Sequence, residues 1–169
     1  MLDRITLSCL LLILLNACTE NNNSSKIGLQ GKTMGTQYHI TIVNPPATIL
    51  EEQILKTDID DILETVNQQM STYLTDSELS KFNQYNKTDW FFVSSELLVV
   101  VKAAQQLSRE TQGAFDISIS PLVELWGFGP ETKYQTPDSK LLDRVKRHTG
   151  YQLLEVQDQP AALRKQRSL

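Results

Sequence analysis

The hydrophobic period of this chain changes between residues 36 and 70, and that change restricts the fold to one that mixes sheet and helix. In TQYHITIV, Tyr38, Ile40 and Ile42 alternate with Gln37, His39 and Thr41. This is the pattern of a half-buried strand. Pro45-Pro46 ends it, because proline has no N–H to give to a ladder. Thr48 and Glu51 then have capping-box spacing. Leu55, Ile59, Ile62, Val66 and Met70 follow at steps of three and four and predict a helix with one apolar face. Asp58, Asp61 and Glu64 fall on the other face, which reads as solvated surface rather than a metal site.

The same reasoning organises the rest. Ser77, followed by Glu78 and Ser80, starts a short turn of helix, and Thr88–Val93 reads as a short strand. Ser94 or Ser95 is expected to cap a second long helix ending near Gln112, with Leu97, Val101, Ala104 and Leu107 facing inward. Gly113 suits the left-handed residue past its end. A third helix is expected after Thr136 or Asp138 as cap, with Pro137 near its first turn, basic residues late and Gly150 beyond. Tyr151–Val156 fits a strand. No regular βαβ alternation appears, so the expected class is α+β, a mixed or antiparallel sheet with packed helices.

The first eighteen residues stand apart. Ile5–Leu15 is apolar, of signal-peptide length and too short to span a bilayer. It ends in Leu15-Asn16-Ala17-Cys18, which resembles a bacterial lipoprotein signal. In that reading residues 1–17 are removed and Cys18 carries several acyl chains, enough for stable anchoring. The alternative is a secretory peptide in which Cys18 is incidental. Thr19–Gly28 is polar and low in complexity, so residues 18–30 read as lipidated cysteine and flexible tether, and residues 31–169 as the folded domain. Cys9 and Cys18 are the only two cysteines, so the mature chain would hold no disulfide, CxxC or thiolate metal site. The net charge of -4 argues against nucleic acid as the main partner, which would normally demand a basic face.

Several chemistries are excluded. No Gly-rich segment ends in Gly-Lys-Ser/Thr, and Gly127 and Gly129 lack the third glycine of a dinucleotide fingerprint. No G-x-S-x-G elbow exists. His39 and His148 have no second histidine or cysteine at ligand spacing and read as structural. Three segments remain unusual. In GKTMGTQYHIT, Met34 is either a gap-filler or a soft contact for a flat ligand. In MSTYLTDSELSKFN, Tyr73 is either core or a ring that stacks on a base or an isoalloxazine. GAFDISISPLVELWGFGP gathers aromatics and glycines around Asp116. Glycine lets a backbone approach a flat ligand, and an acid accepts hydrogen bonds from ligand hydroxyls. Either simple packing or a pocket for an aromatic, hydroxyl-bearing ligand accounts for them.

Taken together, these three segments resemble the ApbE family, the FAD:protein FMN transferases, long called thiamine biosynthesis lipoproteins. Met34-Gly35-Thr36 resembles the family's entry motif and MSTYLTDSELSKFN its second. The Gly113-Ala114-Phe115-Asp116 start, Pro121-Leu122-Val123 and Leu125-Trp126-Gly127-Phe128-Gly129 resemble its third. The resemblance implies an ApbE-like fold and transfer of the FMN half of FAD to a threonine hydroxyl of a target flavoprotein. AMP leaves, and Mg²⁺ neutralises charge on the pyrophosphate. It implies FAD contacts at Met34, Tyr73, Ala114, Phe115 and Asp116, with Tyr73 and Phe115 near flat rings and Asp116 accepting a hydrogen bond. It further implies target subunits in membrane redox complexes. With Cys18 lipidated, it implies an enzyme anchored in the bacterial cell envelope, at the inner rather than the outer membrane, facing the periplasm or exterior. FAD hydrolysis to FMN and AMP, and a flavin-binding surface lipoprotein without chemistry, are the alternatives.

Two departures qualify the match. Ile117–Ser120 replaces a more usual Pro-Thr-Val-Gly type of sequence. The resemblance also covers only the N-terminal part of the family, so the fold is expected to be incomplete at its C-terminus and the Mg²⁺ ligands to lie beyond residue 169. Gln159–Leu169 reads as a loop, strands awaiting later partners as exposed edges, and the chain alone as a weak flavin binder without transfer activity.

Overall fold

The computed structural model describes residues 24–46, 51–128 and 136–167. The signal-like segment with Cys9 and Cys18, the cap position Thr48, and Gly129 and Pro130 lie outside the described residues. The chain forms two compact units that divide between Asp58 and Ile59.

In the first unit, β1 (Lys26–Thr33) pairs antiparallel with β2 (Thr36–Val43), with Leu29 opposite Ile40 and Ile27 opposite Ile42. The alternation expected for β2 holds: Tyr38, Ile40 and Ile42 are half-buried and the residues between them exposed. The tether assignment is corrected here, since Lys26–Gln30 are paired in β1. Its period-two pattern is short and broken by glycine, which hid it. Gly31 lies beneath its cross-strand partner Tyr38, and a Cβ there would come within 2.5 Å of that ring. α1 (Glu52–Met70) begins in this unit and continues into the second. Its half-buried stripe runs through Ile59, Leu63, Val66 and Met70, whereas Ile62 is exposed. Leu63 lies closer than Ile62 to the mean direction of those residues on a 3.6-residue turn.

The second unit continues with α2 (Glu78–Gln84), β3 (Phe91–Phe92), α3 (Ser95–Glu110), α4 (Ser120–Leu125), α5 (Ser139–Lys146), a 3₁₀ turn at Tyr151–Leu153, β4 (Leu154–Gln157) and β5 (Ala162–Lys165). The sheet order is β3-β5-β4, all antiparallel. Leu163 is opposite both Phe91 and Val156, is fully buried, and packs with Phe82, Leu97, Leu98 and Val101. The segment expected to be a terminal loop therefore supplies the central strand. Ala162 and Leu163 gain a neighbour on each side and lose all contact with water. Tyr151–Leu153 is likewise a 3₁₀ turn, and the expected strand starts only at Leu154.

The capping serines act as expected: the Ser94 side chain accepts from Leu97 N, and Asp138 accepts from Leu141 N. The inward face of α3 differs from expectation. Leu97, Leu98, Val101, Gln105 and Ser108 are buried, and Leu107 is exposed. The two buried polar groups are paired, Gln105 Nε2 donating to Tyr151 O and Leu154 O and Ser108 Oγ donating to Ala104 O. Pairing of this kind removes the penalty that would otherwise exclude them.

Leu163→Ala is expected to lower the unfolding free energy by about 2–5 kcal/mol, because the cavity it leaves has neighbours on every side. Urea denaturation with an unchanged m-value is the check. Across β4 and β5, Arg164 ion-pairs with Glu155. That guanidinium, then the Gln166 amide, hold the Glu155 carboxyl below its ordinary 4.5. A carboxylate depressed on folding adds stability above its unfolded pKa and loses it as pH falls through the lower folded value. Glu155→Gln should therefore flatten the acid limb of a stability profile measured below pH 4.5, while leaving its shape near neutrality unchanged.

Candidate functional site

Tyr73 leaves α1 on a turn that three serines fix. Ser71 Oγ accepts from Tyr73 N and Leu74 N, each at 3.1 Å. Ser71 O accepts the hydroxyls of Ser77 at 2.5 Å and Ser80 at 3.1 Å. Ser77 Oγ also caps α2 by accepting from Ser80 N at 3.0 Å. Ser77 and Ser80 are buried, so these polar groups are satisfied inside the fold. Glu78 then reaches the start of α3, where its carboxylate accepts from Ser94 N and, at 2.7 Å, from Ser94 Oγ. The Tyr73 ring itself is 78% exposed. A fixed backbone thus carries an unburied aromatic ring.

The second loop follows α3. Gln112 (φ 54°) and Gly113 (φ 85°) both turn left-handed, and Gly113 N closes the helix on Ser108 O at 2.8 Å. Thr111 holds the next two residues, its carbonyl accepting from Ala114 N at 3.0 Å and its hydroxyl from Phe115 N at 3.1 Å. Ala114 is exposed and Phe115 is 41% exposed. Asp116 is engaged on both oxygens. Oδ1 accepts from Ser118 N at 2.8 Å and Ser118 Oγ at 2.7 Å, and Oδ2 accepts from Tyr151 N at 2.9 Å. Ser118 Oγ in turn accepts from Gly150 N at 2.7 Å. Ile117 packs against the core, and Ser120 opens α4.

Met34 belongs to the first unit. With Gly35 it forms the two-residue turn of the β1–β2 hairpin, at φ 49° and 73°. Two positive φ values define a turn whose twist matches its strands. Glycine adopts them freely, but methionine is strained there, a state that persists where surroundings or function require it. Its side chain is 52% exposed.

Ala114, Phe115 and Asp116 therefore share one pinned loop, Tyr73 stands on another loop of the same unit, and Met34 is placed by its own hairpin. Cys18 lies outside the described residues. Among the described residues no three His, Cys, Asp or Glu side chains gather as a metal-binding group. The described residues therefore offer no clustered ligand set for Mg²⁺. Sequence reading missed Glu78, Thr111, Ser118 and the 150–151 turn as organisers. Asp116 and Ser118 have the two-residue spacing of an Asx turn and were open to discovery. The reach to Gly150 and Tyr151 has no local signal.

Glu78→Ala would leave the partly buried Ser94 N–H and hydroxyl without their acceptor, at an expected cost of about 1–3 kcal/mol. Urea denaturation should show it, with Glu78→Gln recovering part of the loss.

This fold is similar to that of solved flavin transferases. The fold matches the flavin transferase ApbE from Vibrio cholerae with TM-score 0.78 and 42% identity, covering 86% of this chain and 46% of that one. It matches the apo form of the Pseudomonas stutzeri flavinyl transferase ApbE with TM-score 0.76 and 29% identity, covering 84% and 45%. The model of the ApbE family matches residues 34–169, and the chain belongs to that family. The FAD:protein FMN transferase of Vibrio cholerae is 43% identical over 147 residues, covering 86% of this chain and 43% of the relative. That of Escherichia coli K12 is 39% identical over 132 residues, covering 78% and 37%. The chain thus spans less than half the length of these relatives.

Proposed function

We propose that this chain forms the FAD-facing part of an FAD:protein FMN transferase. The observation that carries the reading is a family match from residue 34 to residue 169, which takes in Met34, Tyr73 and the Ala114–Asp116 run, beside 43% identity over 147 residues to a transferase of that name. The geometry supports it. Tyr73 and Phe115 present rings on backbones already held by hydrogen bonds, so a flat ligand would find them with little ordering left to do. In the proposed reaction a threonine hydroxyl oxygen of the target attacks the FMN phosphorus of FAD. A phosphoester bond forms, the bond to the AMP phosphate breaks, AMP leaves, and the hydroxyl proton is released. Met34 is carried as an FAD contact by its motif alone, and no described residue is assigned to Mg²⁺.

The setting in this reading is the bacterial cell envelope, with Cys18 lipidated at the inner membrane and the target a flavoprotein subunit of a membrane redox complex. Its support is the Leu15–Cys18 pattern and the polar stretch after it. No described helix is long and apolar enough to cross a membrane. In this reading Cys18 is the anchor.

The test replaces the matching part of the Vibrio cholerae enzyme with residues 34–169 of this chain and assays covalent flavin on its target by in-gel fluorescence. Transfer by the hybrid is expected. In FAD titrations of the chain, Tyr73→Ala and Phe115→Ala should each weaken binding about tenfold, the scale of one lost stacking contact. A folded but inert hybrid, with FAD affinity unchanged in both variants, would sink the reading.

A further inference from the structure

The Asp116 carboxylate and the Ser118 hydroxyl form one fastener between two segments more than thirty residues apart. Ser118 Oγ donates to Asp116 Oδ1 and accepts from Gly150 N, while Asp116 Oδ2 accepts from Tyr151 N. The far side of the same turn is held as well. Gln105, buried in α3, donates through Nε2 to Tyr151 O at 2.7 Å and to Leu154 O at 3.2 Å. Tyr151 thus has its N–H fixed by the loop and its C=O fixed by the helix. On the near side, Thr111 holds Ala114 N and Phe115 N. The Ala114-Phe115 segment is therefore bracketed by Thr111 before it and by the Asp116–Ser118 fastener after it.

From this we infer that Ser118 is a positioning residue for the flavin site, acting through Asp116 and the Gly150-Tyr151 turn to hold the loop that carries Phe115. The inference rests on the flavin reading above. Three donors already point at the Asp116 carboxylate: Ser118 N, Ser118 Oγ and Tyr151 N. A carboxylate has about four acceptor sites, so Oδ2, with one donor, keeps room for a further hydrogen bond. Removing the Ser118 hydroxyl leaves Gly150 N without its acceptor and Asp116 with one donor fewer, which frees the loop that carries Phe115. In the Pro-Thr-Val-Gly type of sequence threonine takes the place of Ser118, so the departure at Ile117–Ser120 keeps the hydroxyl that the fastener requires.

The test uses the full chain with Ser118→Ala, Ser118→Thr, Asp116→Asn and the double variant Ser118→Ala/Asp116→Asn. FAD dissociation constants come from quenching of flavin fluorescence, and exchange rates of the Gly150 and Tyr151 amides from NMR. Ser118→Ala is expected to raise the FAD dissociation constant and to speed exchange at Gly150, each about tenfold, as one lost partly buried hydrogen bond would. Ser118→Thr should restore both. Asp116→Asn should speed exchange at Tyr151 as well, and the double variant should bind FAD no worse than the weaker single variant, because the two groups act as a unit. Ser118→Ala at wild-type FAD affinity would overturn the inference, whatever Asp116→Asn does. If Ser118→Ala does not fold, Ser118→Cys, whose thiol is a weak donor and acceptor, replaces it with the same expectations at smaller size. Absence of FAD binding by the wild-type chain would fail the flavin reading, and with it the ligand half of the inference. Unchanged amide exchange in Ser118→Ala would instead fail the fastener itself, so the two failures are distinguishable.

Discussion

The second unit depends on β5 being placed between β3 and β4. Leu163 pairs with Phe91, far earlier in the chain, and with Val156, only a short turn away. One strand therefore closes a long loop and a short one together. Until it docks, the apolar stripe of α3 has no sheet to cover, and Phe82 of α2 lacks its neighbour. Long closures cost entropy before they return any contact energy, so this pairing is repaid only when the whole cluster forms. Lys165 extends the linkage: its ammonium donates to Asn83 O and Tyr85 O at the end of α2 and lies 5.0 Å from the Phe82 ring centre. Burial lowers its pKa, a cost that the helix-end carbonyls and the aromatic face offset.

Around that cluster the loops are held by polar ties rather than by apolar mass. The Ser71-Ser77-Ser80 knot, the Glu78 link to Ser94 and the Asp116–Ser118 fastener each join a helix end to a loop. Helix ends leave backbone groups without partners, and a side chain that satisfies them also fixes the direction in which the chain departs. Apolar contacts are non-directional and would not do so. The result is a backbone held by hydrogen bonds beneath exposed rings, and for the ligand proposed above the ordering cost would be met in folding rather than on binding.

How far the sequence revealed this depended on the distance over which each interaction acts. β2, α1, α3 and the caps at Ser77, Ser94 and Asp138 are local patterns, and each was found. The strand in Lys26–Thr33 was hidden by its glycines, and β5 by the shortness of Ala162–Lys165. Neither segment has enough periodicity to announce itself, and each is a strand because another strand pairs with it. Gln105 and Leu107 of α3 show the same limit. Hydrophobicity alone favours burying Leu107, yet Gln105 is inside because the carbonyls of Tyr151 and Leu154 are there to receive it. The site motifs were recognisable as segments, but the roles within them were not, since Asp116 takes one of its partners from residue 151.

Met34 shows how a strained residue fits this scheme. A two-residue hairpin turn with both φ values positive is met most easily by Asn-Gly or Gly-Gly. Here the first position is methionine, at φ 49°, with half its surface in water. Its side chain contributes too little burial to explain its place, and its backbone would be less strained as glycine. Strain kept without a packing return is the pattern seen where a side chain serves a ligand. The same logic separates the two kinds of residue in the motifs. Ser71, Ser77, Glu78 and Ser118 are explained by what they bond to within the chain. Met34, Tyr73 and Phe115 are exposed instead, and it is the flavin reading proposed above that assigns them to a ligand.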